Sequence, residues 1–98
     1  MPSFRVTMTI GALRPGVAPD RVLPTATDAA ADLTTAEASS VNVVRGEARL
    51  TVRFTAEDAE LAEQIARHVV DTTATVAEPL AWQLTRSSKD RWVTVRRA

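Results

Sequence analysis

Apolar and polar positions alternate from the start of the chain. Phe4, Val6, Met8 and Ile10 fall on one side of residues 4–10, and Arg5, Thr7 and Thr9 fall on the other. A period of two predicts a strand with one face buried. Gly11-Ala-Leu-Arg-Pro-Gly16 follows, and its glycines and prolines predict a loop. From Pro19 the chain turns alanine-rich, and Val22, Ala26, Ala29, Ala30 and Leu33 recur at helical spacing as a buried stripe. An interior proline removes a helical donor and clashes with the turn before it. The helix is therefore expected either to start near Pro24, where proline is tolerated, or to follow a short turn over 19–23 with a bend.

Residues 38–55 read as a hairpin. Val41 and Val43 lead into Arg45-Gly46-Glu47, and Leu50, Val52 and Phe54 alternate on the way out, with Gly46 suited to the positive φ of a tight turn. A second helix is predicted next, with Thr55 as N-cap and Asp58 completing a pair like a capping box. Its stripe is Leu61, Ala62, Ile65, Ala66 and Val69. Arg67 and His68 suit its negative end, and the Thr72–Thr75 run marks its exit. Beyond Pro79, Leu80, Trp82 and Leu84 alternate as a fourth strand. Ser87–Asp90 is a polar turn, and residues 91–97 form a last strand with Val93 and Val95 on one face.

Strand, helix, strand, strand, helix, strand and a terminal strand is an order that resembles the ferredoxin-like split β-α-β class of α+β domains, with one C-terminal strand added. The resemblance spans nearly the whole chain and lies in element order, not in a residue motif. It implies one domain over residues 1–98, an antiparallel sheet with the first and third strands as central neighbours, and both helices on one face. Phe4, Val6, Met8, Ile10, Leu50, Val52 and Phe54 then face the helices. Arg5, Thr7, Thr9, Arg49, Thr51 and Arg53 make the open face, extended on the outer strands by Gln83, Thr85, Trp92, Thr94 and Arg96. That fold carries many unrelated functions, so function has to be argued from a site.

Composition narrows the chemistry. The chain has 98 residues, 12 basic and 12 acidic side chains, one histidine and no cysteine. Without cysteine there is no disulfide framework, thiolate nucleophile, zinc finger or iron–sulfur cluster. His68 alone makes a poor transition-metal site, so no metal and no cofactor is expected. No apolar run approaches the ~20 residues of a membrane span, and no secretory signal is visible at Met1–Arg5, so a cytoplasmic location is expected and a membrane is not. The Ala, Val, Thr and Arg bias resembles GC-rich coding, as in a high-GC bacterium. Zero net charge argues against a generic polyanion binder. Yet the carboxylates Asp20, Asp28, Asp32, Glu57, Asp58, Glu60, Glu63 and Asp71 lie on or beside the helices, while the arginines gather on the open sheet face.

That face, with Arg5, Thr7, Thr9, Arg49, Thr51, Arg53, Trp92 and Arg96, is the first candidate site. The plain reading is a wet surface, since an antiparallel sheet leaves one face solvated. The sharper reading is a contact surface, because tryptophan and arginine anchor interfaces. On that reading the chain is a small non-catalytic interaction or ligand-binding module that self-associates through its sheet, with a homo-oligomer or another protein as partner. A second reading is a small cofactor-free enzyme of the dimeric α+β barrel type, with His68, Trp82 and Arg14 around a pocket between helices and sheet. A third is a nucleic-acid binder using Arg5, Arg49, Arg53 and Arg96; the central strands offer no aromatic for bases to stack on, which weighs against it. Gly11, Arg14 and Gly16 form a weak candidate for an anion-holding loop, without the glycine spacing or lysine of a phosphate-binding motif. No catalytic set emerges. Ser39, Ser40, Ser87 and Ser88 lack a nucleophile elbow, and Glu57, Asp58 and Glu60 are explained by a helix start.

Overall fold

The alternation along residues 4–10 becomes a two-sided strand. The computed structural model describes residues 1–95. In it β1 (Ser3–Leu13), β2 (Ala36–Val44), β3 (Glu47–Thr55), β4 (Ala77–Ser88) and β5 (Arg91–Thr94) form one antiparallel sheet in the order β2-β3-β1-β4-β5. Two helices, α1 (Val22–Ala31) and α2 (Ala59–Thr73), pack on one face of it. The protein is thus an α+β fold of two layers. None of the helices in residues 1–95 is long and apolar enough to cross a membrane.

Register places the core. Phe4 lies opposite Phe54, Val6 opposite Val52, and Met8 opposite Leu50, and all six are buried. The Phe4 and Phe54 rings stack with centroids 6.1 Å apart. Ala26, Ala29 and Ala30 of α1 and Ala62 and Ala66 of α2 are buried between the helices and the sheet. Side chains this short let helix backbones settle close to their neighbours.

Several local details depart from the sequence expectation, each for a backbone reason. A 3-10 turn, Pro19–Arg21, precedes α1, so Pro24 is the third helical residue. The first four helical N–H groups have no intrahelical acceptor, and proline there removes no hydrogen bond. The α1 stripe stops at Ala30. Leu33 and Thr34 both direct their N–H groups to the Ala30 carbonyl, which tightens the last turn and leaves Leu33 54% exposed. Thr55 does not cap α2. Its N–H donates to the Thr35 carbonyl and its own carbonyl accepts from the Thr34 hydroxyl, so the sheet edge uses it instead. The N-cap is Asp58, whose Oδ1 accepts from the Leu61 N–H at 2.8 Å. With that later start Leu61 turns outward, and the buried stripe runs Ala62, Ile65, Ala66, Val69, Val70 and Thr73. Arg67 and His68 consequently sit mid-helix, and the last turn holds no basic residue.

Gly11 is not in a loop. β1 continues to Leu13, which pairs with Ala77, and β4 bulges between Ala81 and Pro79. A Cβ on Gly11 would lie 3.0–3.3 Å from the Leu80 side chain, so the bare backbone lets Leu80 settle there.

Both hairpins close through two residues in the left-handed region, Arg45 (φ 55°) with Gly46 (φ 81°), and Lys89 (φ 46°) with Asp90 (φ 66°). This mirror-image turn matches the twist of the flanking strands and favours Asn-Gly. The polar turn expected over 87–90 shrinks to its last two residues, because Ser87 and Ser88 pair with Trp92 and Arg91. Replacing Lys89 by Asn and Asp90 by Gly is expected to stabilise the protein by about 1 kcal/mol, since a residue carrying a Cβ costs ~1–2 kcal/mol at positive φ, least for Asn and not at all for Gly. A rise in the urea midpoint without a change in slope is the readout; an unchanged or lower midpoint refutes it. β5 ends at Thr94, with the Val95 N–H donating to the Leu84 carbonyl at 2.8 Å. Arg96 and Arg97, expected in the last strand, lie outside the described residues.

Candidate functional site

Because side chains alternate across a strand, burying Phe4, Val6 and Met8 forces Arg5, Thr7 and Thr9 to the opposite face. β3 does the same with Arg49, Thr51 and Arg53. The β1–β3 register sets Arg5 beside Arg53, Thr7 beside Thr51, and Thr9 beside Arg49. The Thr7 and Thr51 hydroxyls are 3.4 Å apart. β4 adds Gln83 opposite Thr7 and Thr85 opposite Arg5. Thr85 is only 8% exposed, being flanked in the ladder by Arg5 on one side and Thr94 on the other.

Two guanidinium groups abreast repel one another, and Trp92 answers this. The Arg5 Cζ lies 3.8 Å from the centroid of the Trp92 ring, and the Arg53 Cζ lies 5.3 Å from it. The negative face of an indole attracts both cations. Arg53 also has Glu37 of β2 beside it, with Oε1 3.4 Å from Nε, and the same oxygen accepts from the Ser3 hydroxyl at 2.7 Å. Even so, the buried Nε atoms of Arg49 and Arg53 make no hydrogen bond. A depression of about 310 Å³ opens beside the pair, lined by Arg5, Arg53, Thr51, Ser40 and Asn42. A second, of about 200 Å³, holds Arg49, Thr7, Thr9 and Gln83. Both are shallow, polar and rich in hydrogen-bond donors.

Of the residues expected on this face, Arg5, Thr7, Thr9, Arg49, Thr51, Arg53 and Trp92 are brought together; Arg96 lies outside the described residues. Sequence reasoning missed Glu37, Ser40 and Asn42. The β2 run AEASSVNVV has no apolar partner at every second position over its first half, so its two faces could not be told apart.

The other candidates are dispersed. Arg14 Nε donates to the Ala74 carbonyl at 2.9 Å, just past the end of α2, and its N–H donates to the Val76 carbonyl. Gly16 holds φ 79° in the loop beyond, while Gly11 is in β1, so the three converge on no common point. His68 Nε2 lies 3.7 Å from Asp32 Oδ2, joining α2 to the end of α1. Trp82 is half-buried on the helix-covered side, with the Arg67 Cζ 5.9 Å from its ring centroid. A larger cleft, about 710 Å³, lies between the start of α1 and the sheet, lined by apolar groups including Ile10, Leu13, Val22, Val41 and Leu50. His68, Trp82 and Arg14 are not among its walls. Among the described residues no three His, Cys, Asp or Glu side chains cluster tightly enough to hold a metal ion.

The charge separation is visible in the layers. α1, α2 and their caps carry Asp28, Asp32, Asp58, Glu60, Glu63 and Asp71 against Arg21, the α1 N-cap, and Arg67, which pairs with Glu63 at 3.4 Å. The open sheet face carries Arg5, Arg49 and Arg53 against Glu37 and Glu47. Compared with protein-family models, with curated proteins and with solved structures, the chain matches none.

Proposed function

We propose that this chain is a small interaction module that holds an acidic protein partner on its open sheet face. The observation that carries the reading is the Arg5–Arg53 pair, with both guanidinium groups within cation–π range of Trp92, at the edge of a polar depression. A guanidinium held over a ring can still present its two Nη groups, which match a carboxylate with two parallel hydrogen bonds, while the Arg53 Nε stays buried beside Glu37. Thr51, Ser40 and Asn42 supply neutral donors around it. Stacking also fixes the arginines before binding, which lowers the ordering cost. The sheet order β2-β3-β1-β4, with both helices on one side, supports the ferredoxin-like reading of the fold, β5 extending the sheet by one strand. An uninterrupted sheet spanning β1 to β5 supports a single domain.

Self-association through this face takes a constrained form. Two open faces laid together set three arginines against three arginines, with Glu37 and Glu47 on each side. A second copy fits better by presenting its acidic helices to the sheet. Nucleic acid is the poorer fit, since the face's tryptophan already has a guanidinium stacked on it and base stacking needs a free ring.

Titrating isotope-labelled protein with a glutamate-rich peptide tests the proposal. The Nε–Hε signals of Arg5 and Arg53 and the amides of Ser40 and Thr51 should shift. Replacing both arginines by alanine should weaken binding at least about tenfold, the loss of two charge-assisted contacts, and added salt should weaken it further. Shifts confined to other surfaces, or equal binding by the double variant, overturn it. Tighter binding of a single-stranded oligonucleotide than of the peptide does so too.

A further inference from the structure

The sheet has two edges, and they are built differently. β5 is four residues long, opens with Arg91 and follows Lys89, the short and charged kind of edge that resists strand addition. β2 spans nine residues, Ala36–Val44, with no proline, no lysine and Glu37 as its one charge. Residues 37–43 are all exposed.

The hairpin register says which groups are free. A two-residue turn makes Val44 and Glu47 a hydrogen-bonded pair, and such pairs alternate along an antiparallel ladder. Asn42 and Ser40 therefore turn their N–H and C=O toward β3, while Ser39, Val41 and Val43 turn theirs outward. Those three stand opposite Val52, Leu50 and Ala48, on the helix-bearing side of the sheet. Val41 and Val43 are nevertheless 51% and 75% exposed, and Val41 forms part of the wall of the 710 Å³ apolar cleft. A bare ladder edge and an apolar stripe thus coincide.

We propose that a second copy of this chain pairs with β2 along this edge, antiparallel about a two-fold axis through Val41, joining two five-stranded sheets into one of ten strands. The register follows from the sequence of the strand. With Val41 opposite Val41, Ser39 lies opposite Val43, and every outward donor and acceptor of residues 39, 41 and 43 enters the shared ladder. Glu37 then reaches the level of Arg45 of the second copy, so its second carboxylate oxygen, the first lying beside Arg53 and Ser3, can meet a guanidinium at each end. A two-residue slide that centres the axis on Ser40 loses this and sets Glu37 against Val43. Ala38, Ser39 and Ser40 are small enough to let two strands close up. An unrelated extended segment would have to supply the matching pattern; β2 supplies it to itself. This interface uses the edge and leaves the open face uncovered, so it stands independently of the acidic-partner reading.

The full chain should double its mass from 10.6 kDa over a concentration series in light scattering. Val41→Lys sets two ammonium groups together on the axis and should hold the chain at monomer mass, with an unchanged circular dichroism spectrum and unchanged binding of the glutamate-rich peptide. Because the natural chain has no cysteine, Val41→Cys carries a single thiol. Residues paired by hydrogen bonds have Cα atoms about 5.5 Å apart, within disulfide reach, so mild oxidation should convert this variant to a covalent dimer. Val93→Cys, on the opposite edge and equally exposed at 51%, should stay monomeric under the same oxidation. Wild-type protein that keeps monomer mass throughout the series overturns the proposal, as do equal crosslinking rates for the two cysteine variants. Arg5→Ala with Arg53→Ala should dimerise normally, which separates failure of this interface from failure of the sheet-face reading.

Discussion

Phe54→Ala is expected to remove about a third or more of the stability of this protein. Phe54 is fully buried on β3, stands opposite Phe4 in the register, and stacks on it with centroids 6.1 Å apart. Truncating a buried phenylalanine costs about 3–5 kcal/mol, the lost transfer free energy plus the cavity left behind. The broken aromatic pair adds about 1 kcal/mol. A domain of this size has roughly 5–15 kcal/mol in all. Urea unfolding followed by circular dichroism should show a midpoint lowered by a third or more, whereas Phe54→Leu should cost less than about half as much because most of the volume stays. A loss below about 1.5 kcal/mol for the alanine variant would mean that the two rings are not the centre of the core.

Ala66→Leu is expected to have the next largest effect, and by the opposite mechanism. Ala66 is buried on α2, and α1 offers Ala26, Ala29 and Ala30, also buried. Alanine on both helices lets their backbones approach one another and the sheet. Three added carbons have no void to enter, so either the helices separate or the leucine leaves its preferred rotamer, at a cost of about 1–3 kcal/mol. Ala31→Leu, one turn-end away on the exposed side of α1, serves as the control and should change stability by less than about 0.5 kcal/mol. If the two leucine variants unfold at the same urea concentration, the alanine seam is looser than its burial implies.

The two layers also explain how a chain of zero net charge has a directional surface. Arginines alternate with core residues on β1 and β3, and carboxylates occupy the outer sides and caps of the helices. Total charge averages this away. The open face therefore presents a local excess of positive charge, held in place by Trp92 and Glu37.

How much of this was readable beforehand depended on the range of the forces involved. Strict alternation made the buried side of β1 and β3 legible, because a strand offers only two faces, but not the continuation of β1 through Gly11 to Leu13. The helices were legible in place but not at their ends. Leu33 and Leu61 fit their stripes by spacing, yet both are exposed, since the carbonyl of Ala30 and the cap at Asp58 decide where each helix stops and starts. Thr55 looked like a cap until the segment after α1 used its backbone groups.

By itself, then, the sequence determined the element order, the core residues of the central strands, the basic composition of one sheet face and the acidic composition of the helices. Each follows from periodicity, which acts within a few residues. Only the tertiary structure decided that Trp92 of β5 reaches Arg5 and Arg53 across the sheet, that Glu37, Ser40 and Asn42 lie beside them, and that β2 and β5 are the two edges of the sheet. Those outcomes depend on register between strands far apart in the chain, and register is settled by packing the buried face as a whole.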